Sequence, residues 1–263
     1  MLKFSVITVV FNGEKFLEQT IKSVLEQQYS SVEYIVIDGG SKDGTLDILK
    51  RYERYIDFCT SEPDDGIYDA MNKGIMHATG DIVGIINSDD FYFPGVFKKV
   101  SEVFQNPEID VVYGDMELFN PQTHNAILIK PSFLNLKRNM TLNHPTCFIR
   151  RSCYKSLKFN TKYKLLADYD LILGLKKSKF VFKYIPELIS FMRIGGASDN
   201  FKLCSIELFE VQKMYFGTLH ALRILLVRII KRAMKFCLLR IFSISFIEKM
   251  KGFQHEGSAR RNS

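Results

Sequence analysis

The chain places carboxylates in two arrangements that could do chemistry, Asp89-Asp90 and Asp168-Tyr169-Asp170. The first pair closes the stretch Asp81-Ile82-Val83-Gly84-Ile85-Ile86-Asn87-Ser88-Asp89-Asp90. Its middle, Ile82 to Ile86, is an apolar β-rich run short enough to be a strand buried on both faces. Asn87 to Asp90 then fall at that strand's carboxyl end, where open α/β sheets bind ligands. Adjacent carboxylates there repel each other and lose hydration, which a cation shared with a second anion would relieve. On this reading Asp90 and Asp89 are ligands of Mg²⁺ or Mn²⁺ at a nucleotide diphosphate site. Ser-Asp-Asp is also ordinary chemistry for a solvated turn. The surrounding elements have to decide.

Phe4 to Val10 is a β-branched strand stopped by Phe11-Asn12-Gly13. From Glu14 to Gln28, Phe16, Leu17, Ile21, Val24 and Leu25 form the stripe of an amphipathic helix. A second strand, Val32 to Ile37, runs into Asp38-Gly39-Gly40-Ser41-Lys42-Asp43-Gly44-Thr45, and a helix follows over Leu46 to Tyr55. Strand, helix, strand, helix implies a parallel sheet with right-handed crossovers. Asp38 at a strand end could accept hydrogen bonds from a nucleobase imide or a ribose, and it or Ser41 could equally cap the next helix. Gly39-Gly40 lacks the G-x-G-x-x-G spacing, which excludes a dinucleotide-binding dehydrogenase. In Ser61 to Gly74, Pro63 and Gly66 mark a loop and the helix begins at Ile67. Asp69 and Lys73 stand at i, i+4, as a surface ion pair would, while Lys73 is also a candidate phosphate contact.

Composition narrows the class. At 263 residues, 46% hydrophobic and 25% charged, the chain has the make-up of a soluble globular protein. Its net charge of +7 is unevenly spread. After Asn200 there are 12 Lys and Arg against 4 Asp and Glu, a net +8, which leaves residues 1–200 at −1. A nucleic-acid enzyme would carry basic charge around its cleft, so nucleic acid is excluded as a partner. Five cysteines without a C-x-x-C pair read as free thiols in a reducing compartment. With no signal peptide at Met1-Leu2-Lys3-Phe4 and no apolar run of about 18 residues, the expected location is the cytoplasm.

Four motifs, in order, now carry a resemblance. Ile7-Thr8-Val9-Val10-Phe11-Asn12, Asp38 to Thr45, Asp64-Asp65-Gly66-Ile67-Tyr68-Asp69-Ala70-Met71-Asn72-Lys73-Gly74 and Asn87-Ser88-Asp89-Asp90 look like those of family 2 glycosyltransferases. The resemblance covers roughly residues 3–198 and implies a GT-A fold: a Rossmann-like nucleotide half with a mainly parallel sheet, then a mixed-sheet acceptor half. It implies an inverting sugar-nucleotide enzyme that uses Mg²⁺ or Mn²⁺. Asp38 would contact the nucleobase, Asp64 the nucleoside, and Asp89 and Asp90 the ribose and the metal, Asp90 more directly. Thr8 and Lys73 join the expected donor contacts. Gly39 departs from the pattern, since many members have a second Asp there.

Further on, Pro94 to Phe104 reads as a helix, and Asp110 to Phe119 and Ala126 to Ile129 as strands. His144, where family members often carry His, is a candidate for the acceptor site, or else a core ring. At Leu165 to Leu173 a helix begins, and Asp168 and Asp170 point about 200° apart on it, so only one can face a cleft. Inverting transfer needs a carboxylate to take the acceptor's proton, and Asp168 aligns with the family's usual base. Ala167 stands where relatives often have Glu. Phe180 to Ile194 reads as two short strands around Pro186-Glu187, closing in Arg193, a candidate diphosphate contact. Gly195 replaces the His of the family's Arg-x-His segment, and Gly195-Gly196 could serve a lid or a plain loop.

In the last part, Leu219 to Lys251, Arg228, Lys231, Arg232 and Lys235 lie within roughly 100° on a helical projection, mainly opposite Leu222, Leu225, Leu226, Ile229, Ile230, Ala233 and Phe236, and Arg240 interrupts the apolar face. Such a helix suits an anionic membrane surface, or packing on its own domain or in a homo-oligomer. The expected organisation is a catalytic domain over 1–200, a basic helical segment over 201–254 and a polar, disordered tail over 255–263. The expected activity is transfer from a nucleoside diphosphate sugar, UDP-linked for preference, to a saccharide acceptor on a lipid carrier in surface polysaccharide assembly. A sugar nucleotidyltransferase is the rival enzyme, but Phe11-Asn12-Gly13-Glu14-Lys15 offers little of its triphosphate loop. A non-catalytic sugar-nucleotide-binding protein is the third alternative.

Overall fold

The computed structural model describes the backbone of residues 1–195 and 200–241, with side chains through residue 234. Gly196 of the expected lid, the basic segment beyond Ile241 and the 255–263 tail lie outside the described residues, as do the side chains of Lys235, Phe236 and Arg240.

Strand β1 (Phe4–Val10) is buried at every position. It runs between β2 (Val32–Asp38) and β4 (Ile82–Asn87), both parallel to it, and β3 (Phe58–Ser61) continues the parallel half beyond β2. Burial on both faces explains the Val- and Ile-rich character of β1, β2 and β4. The crossovers are α1 (Leu17–Leu25), α2 (Thr45–Tyr52) and α3 (Ile67–His77). The spatial order β3-β2-β1-β4 reverses the chain's direction of travel at β1, so a switch point opens between the carboxyl ends of β1 and β4. Sequence patterning missed β3, a four-residue edge strand that is only alternately covered, and the two-residue β5 (Phe91–Tyr92).

Beyond β4 the sheet turns mixed. Among the described residues it continues through β8 (Phe148–Arg150), β6 (Val111–Asn120) and β9 (Phe182–Arg193) to β5, with β7 (Asn125–Ile129) as a hairpin on β6. The two strands expected around Pro186 are one strand with an irregularity. Tyr113 pairs with Tyr184 but Asp115 with Leu188, so three residues of β9 bulge opposite the single Gly114. The bulge absorbs the N–H that Pro186 lacks. Gly114 makes it possible: a Cβ there would lie 2.7 Å from the Glu187 carbonyl oxygen.

Aromatic packing joins the two halves. Phe4 of β1 stacks on Phe97 of α4 (Val96–Val103) at 5.2 Å, and Phe148 of β8 meets both edge-on at 5.8 and 5.9 Å. All three are fully buried, each contributing about 1.5–3 kcal/mol from the surface removed from water. The cluster joins the amino end of β1 to α4 and β8. Helix α5 (Ala167–Lys177) precedes β9.

The chain divides into two compact units, Met1–Glu207 and Leu208–Ser263. Their boundary falls inside α6 (Phe201–Phe216). In the second unit, α7 (Thr218–Ile241) leaves Leu222, Leu226, Ile229 and Ile230 exposed. Among the described residues no helix is long and apolar enough to cross a membrane.

Candidate active site

A cleft of about 790 Å³ opens at the switch point. Its walls come from the exit of β1 (Phe11, Asn12), the loop before α3 (Asp64), the exit of β4 (Asn87, Asp89, Asp90), the turn before β8 (Asn143, His144), the start of α5 (Asp168) and the end of β9 (Arg193). Distant parts of the chain, read separately above, meet here.

Asp90 is 1% exposed. Its Oδ1 accepts the Arg193 amide at 3.1 Å and its Oδ2 the Asn87 side-chain amide at 3.4 Å. Burial, then the neighbouring Asp89 charge, pushes its carboxyl up to about 8, against the opposing pull of Arg193. The Thr20 hydroxyl of α1 lies 2.6 Å from the Asp90 carbonyl oxygen and 2.9 Å from that of Ser88, pinning this loop. A buried carboxylate with so high a proton affinity is chemically suited to a cation, which would take the proton's place. Among the described residues no group of three or more His, Cys, Asp or Glu is arranged around a metal. Asp89 and Asp90 alone could supply at most part of the coordination of a Mg²⁺ or Mn²⁺ ion, and such ions usually complete it with phosphate oxygens and water.

Arg193 donates through its guanidinium to the Asp89 carbonyl oxygen and to Gln19 Oε1 at 2.7 Å. The guanidinium lies 4.2 Å from the Phe16 ring centroid and 5.1 Å from that of Phe191. Contacts of this kind between a guanidinium and aromatic rings are attractive.

Asp64 lines the cleft, with Oδ1 accepting the Gly66 amide at 2.8 Å. Its Oδ2 explains Gly39. A Cβ at residue 39 would stand 2.6 Å from that oxygen, so the absence of a side chain at 39 makes room for the Asp64 carboxylate.

Three expected donor contacts lie outside the cleft lining. Thr8 is fully buried in β1, its hydroxyl 3.0 Å from the Tyr34 hydroxyl. Asp38 is also fully buried, and both its oxygens are engaged: it accepts from the amides of Gly40 and Ser41 and from the hydroxyls of Ser41 and Ser61. It organises the loop after β2, which Ser41 and Thr45 tie to the β1 exit through the amides of Asn12 and Gly13. Lys73 pairs with Glu62 at 3.1 Å and Asp69 at 3.3 Å, and the Glu62 hydrogen bond leads in raising its pKa. It braces the loop before α3.

Asp168, also in the cleft lining, sits in the first turn of α5, while Asp170 is buried and does not line it. Asp168 Oδ1 accepts the Tyr169 amide at 2.8 Å and faces the Tyr68 hydroxyl at 3.2 Å. Burial lifts Asp168 to about 6, against the opposing hydrogen bonds from the Tyr169 amide and the Tyr68 hydroxyl. That places a carboxylate at the proton affinity a general base needs near neutrality. His144, 6% exposed, packs edge-on against Phe159 at 5.3 Å, and burial lowers its pKa to about 4, so the ring is neutral at pH 7. Its Nε2 has no protein partner, nor do Asn143 Nδ2 and Asn87 Oδ1. All three atoms belong to residues that line the cleft, each buried and without a protein partner. Sequence reasoning passed over Tyr68 and Asn143. Asn143 adjoins His144, whereas nothing local distinguishes Tyr68.

One cleft thus gathers a carboxylate pair from a strand end, a third carboxylate with a raised proton affinity and several buried polar side chains. Residues 5–165 match the Glycosyl transferase family 2 profile, and the chain belongs to that family. A PGL/p-HBAD biosynthesis glycosyltransferase of Mycobacterium bovis is 30% identical over 207 residues, covering 75% of this chain and 79% of its own. Residues 1–349 of Staphylococcus aureus TarS, solved with UDP-GlcNAc, superpose with a TM-score of 0.64 at 18% identity over 85% of this chain and 70% of that one. The chain spans 42% of the longer TarS chain. A Pyrobaculum calidifontis mannosyltransferase, solved with GDP-Man and Mn²⁺, gives a TM-score of 0.61 at 18% identity over 85% and 70%. The protein is a glycosyltransferase with the GT-A fold.

Proposed function

We propose that the protein is an inverting, metal-dependent transferase acting on a UDP-linked sugar, with Asp168 as its base. The observation that carries this reading is that Asp168, raised to about 6, shares one cleft with Asp89 and Asp90. In the proposed reaction Asp168 takes the proton from the acceptor hydroxyl. The freed oxygen pair attacks the anomeric carbon from the face opposite the diphosphate, and the bond from that carbon to the diphosphate oxygen breaks. The diphosphate leaves with the bonding pair. Asp64 holds the nucleoside and Arg193 the diphosphate, while Asp38 and Lys73 act indirectly by shaping the loops. When bound, Mg²⁺ or Mn²⁺ at Asp89 and Asp90 offsets charge developing on the departing diphosphate. His144 and Asn143 offer hydrogen-bonding atoms to sugar hydroxyls on the acceptor side.

UDP is favoured as the nucleotide because UDP-GlcNAc occupies the TarS structure, although the mannosyltransferase holds GDP-Man. Titrating UDP, GDP and dTDP with and without Mn²⁺ by calorimetry tests the reading. Mn²⁺ is expected to tighten UDP binding by at least about tenfold, or 1.4 kcal/mol. No metal-dependent binding to any of the three would sink it.

A lipid-linked acceptor and a peripheral position on the inner face of the cell membrane are part of the proposal. Exposed Leu222, Leu226, Ile229 and Ile230 on α7, together with the basic residues of the same segment, support it. The chain should sediment with phosphatidylglycerol vesicles and not with neutral phosphatidylcholine ones, and should detach as salt rises through about 0.5 M. Equal recovery with both vesicle types would remove the membrane contact.

A further inference from the structure

Where Asp168 points depends on the turn that leads into α5. Helix starts leave backbone amides without partners, and α5 has no side-chain cap at its Ncap residue, Leu166. The cap comes from α6. Glu207, 5% exposed, takes the Lys164 amide on Oε1 at 2.7 Å and the Leu165 and Leu166 amides on Oε2 at 2.9 and 3.0 Å. From α3, the Tyr68 hydroxyl donates to the Leu165 carbonyl oxygen at 2.8 Å while reaching Asp168. One short turn is thus gripped on its amides by a buried anion and on its carbonyl by a phenol. Buried carboxylates persist only when satisfied, and three charge-assisted bonds leave Glu207 little freedom.

We propose that Glu207 is a positioning residue for the general base: by gathering the amides of Lys164, Leu165 and Leu166 it fixes where α5 begins and which way Asp168 faces the cleft. The inference rests on the reading of Asp168 as the base. Glu207 also acts through its charge. Burial is the main cause of Asp168's high proton affinity, and the Glu207 anion adds to it. Titratable groups near Asp168 among the described residues include Tyr68 on α3, Cys147 just before β8, and His144 and Lys164 of the same cleft, the Lys164 ammonium donating to the Asp65 carbonyl oxygen at 2.6 Å. Ordinary helix capping would account for the three hydrogen bonds, but not for an effect on the base's titration.

The full-length protein is compared with Glu207→Gln and Glu207→Asp. A glutamine has one oxygen where the carboxylate has two, and its NH₂ would oppose an amide N–H. Hydrogen exchange at residues 164–166 in Glu207→Gln should quicken by about tenfold or more. Carbon-13 NMR of protein labelled at the aspartate carboxyls follows Asp168, assigned by the signal lost in Asp168→Asn. In Glu207→Gln its midpoint should fall by about 0.5 in pH, because the neighbouring anion is gone. Turnover of whichever UDP-, GDP- or dTDP-sugar the wild type uses fastest should drop about tenfold to a hundredfold at unchanged nucleotide affinity. Glu207→Asp keeps the charge on a shorter stem, so turnover should fall while the Asp168 midpoint stays in place. Wild-type exchange and midpoint in a folded Glu207→Gln overturn the proposal. Should that variant not fold, wild-type exchange and turnover in Glu207→Asp overturn it. Full turnover in Asp168→Asn would instead remove the base reading on which it rests, a separate result.

Discussion

Asp168→Asn is expected to lower turnover by about 10²–10⁴-fold, the usual worth of a positioned base, while nucleotide affinity stays within about twofold. Asparagine is nearly isosteric. Its Oδ1 can still accept the Tyr169 amide and face the Tyr68 hydroxyl, as the carboxylate does at 2.8 and 3.2 Å, but it cannot take a proton. The wild-type enzyme should carry the matching pH signature. A base works ionised, so turnover should be lost as pH falls through about 6, the value to which burial lifts Asp168. Stability has the opposite sign. A raised carboxyl contributes stability that is fully present below its unfolded value near ~3.9 and lost as pH rises through its folded value. Asp168→Asn should therefore unfold at pH 8 no more easily than wild type. Initial rates against pH, calorimetry with UDP and Mn²⁺, and urea unfolding check the three parts. A variant that keeps wild-type rates removes the base. One that loses nucleotide binding together with turnover would assign Asp168 to the donor site instead.

What sequence could and could not reveal follows from the range of the interactions. The bounds of β1, β2 and β4 are legible to within about one residue because strands covered on both faces are mainly apolar. The same uniformity hides the direction of individual side chains. Thr8 interrupts an apolar run near the sheet's carboxyl end, yet its hydroxyl goes to Tyr34 inside the fold. Asp38 stands where a ligand contact would stand, and local amides and hydroxyls saturate it first. For Lys73 the i, i+4 partner Asp69 was visible, whereas Glu62 needed the loop's conformation. Asp64, Asp89, Asp90, His144, Asp168 and Arg193 do converge on one cleft, but spacing along the chain could not measure that convergence. Glu207 and Tyr68 mark the limit. Their partners lie about 40 and 100 residues away, and no periodicity encodes such contacts.

In metal-free protein, Asp90 should hold a proton up to about pH 8, because burial and then Asp89 oppose its charge. A cation at that carboxylate must displace the proton, so apparent Mn²⁺ affinity in the presence of UDP should rise about tenfold per pH step between roughly 6 and 8, then level off. Asp90→Asn is expected to abolish the metal-dependent part of UDP binding and to flatten this slope. Stability again runs the other way. The contribution of the protonated Asp90 is fully present below its unfolded value near ~3.9 and disappears as pH rises through about 8. Metal-free wild type should therefore lose roughly 2–5 kcal/mol between pH 5 and pH 9, and Asp90→Asn, which cannot ionise, should lose much less. Urea unfolding in EDTA at the two pH values reads this directly. An equal loss in both proteins would mean that Asp90 is ionised at neutrality without metal, held by the Arg193 backbone amide, the Asn87 side-chain amide and the Arg193 charge. The steep pH dependence of Mn²⁺ binding should then be missing too, since no proton would remain to be displaced. A loss confined to wild type would mean that the site keeps a destabilising carboxylate in place, which a cation and a diphosphate together would relieve.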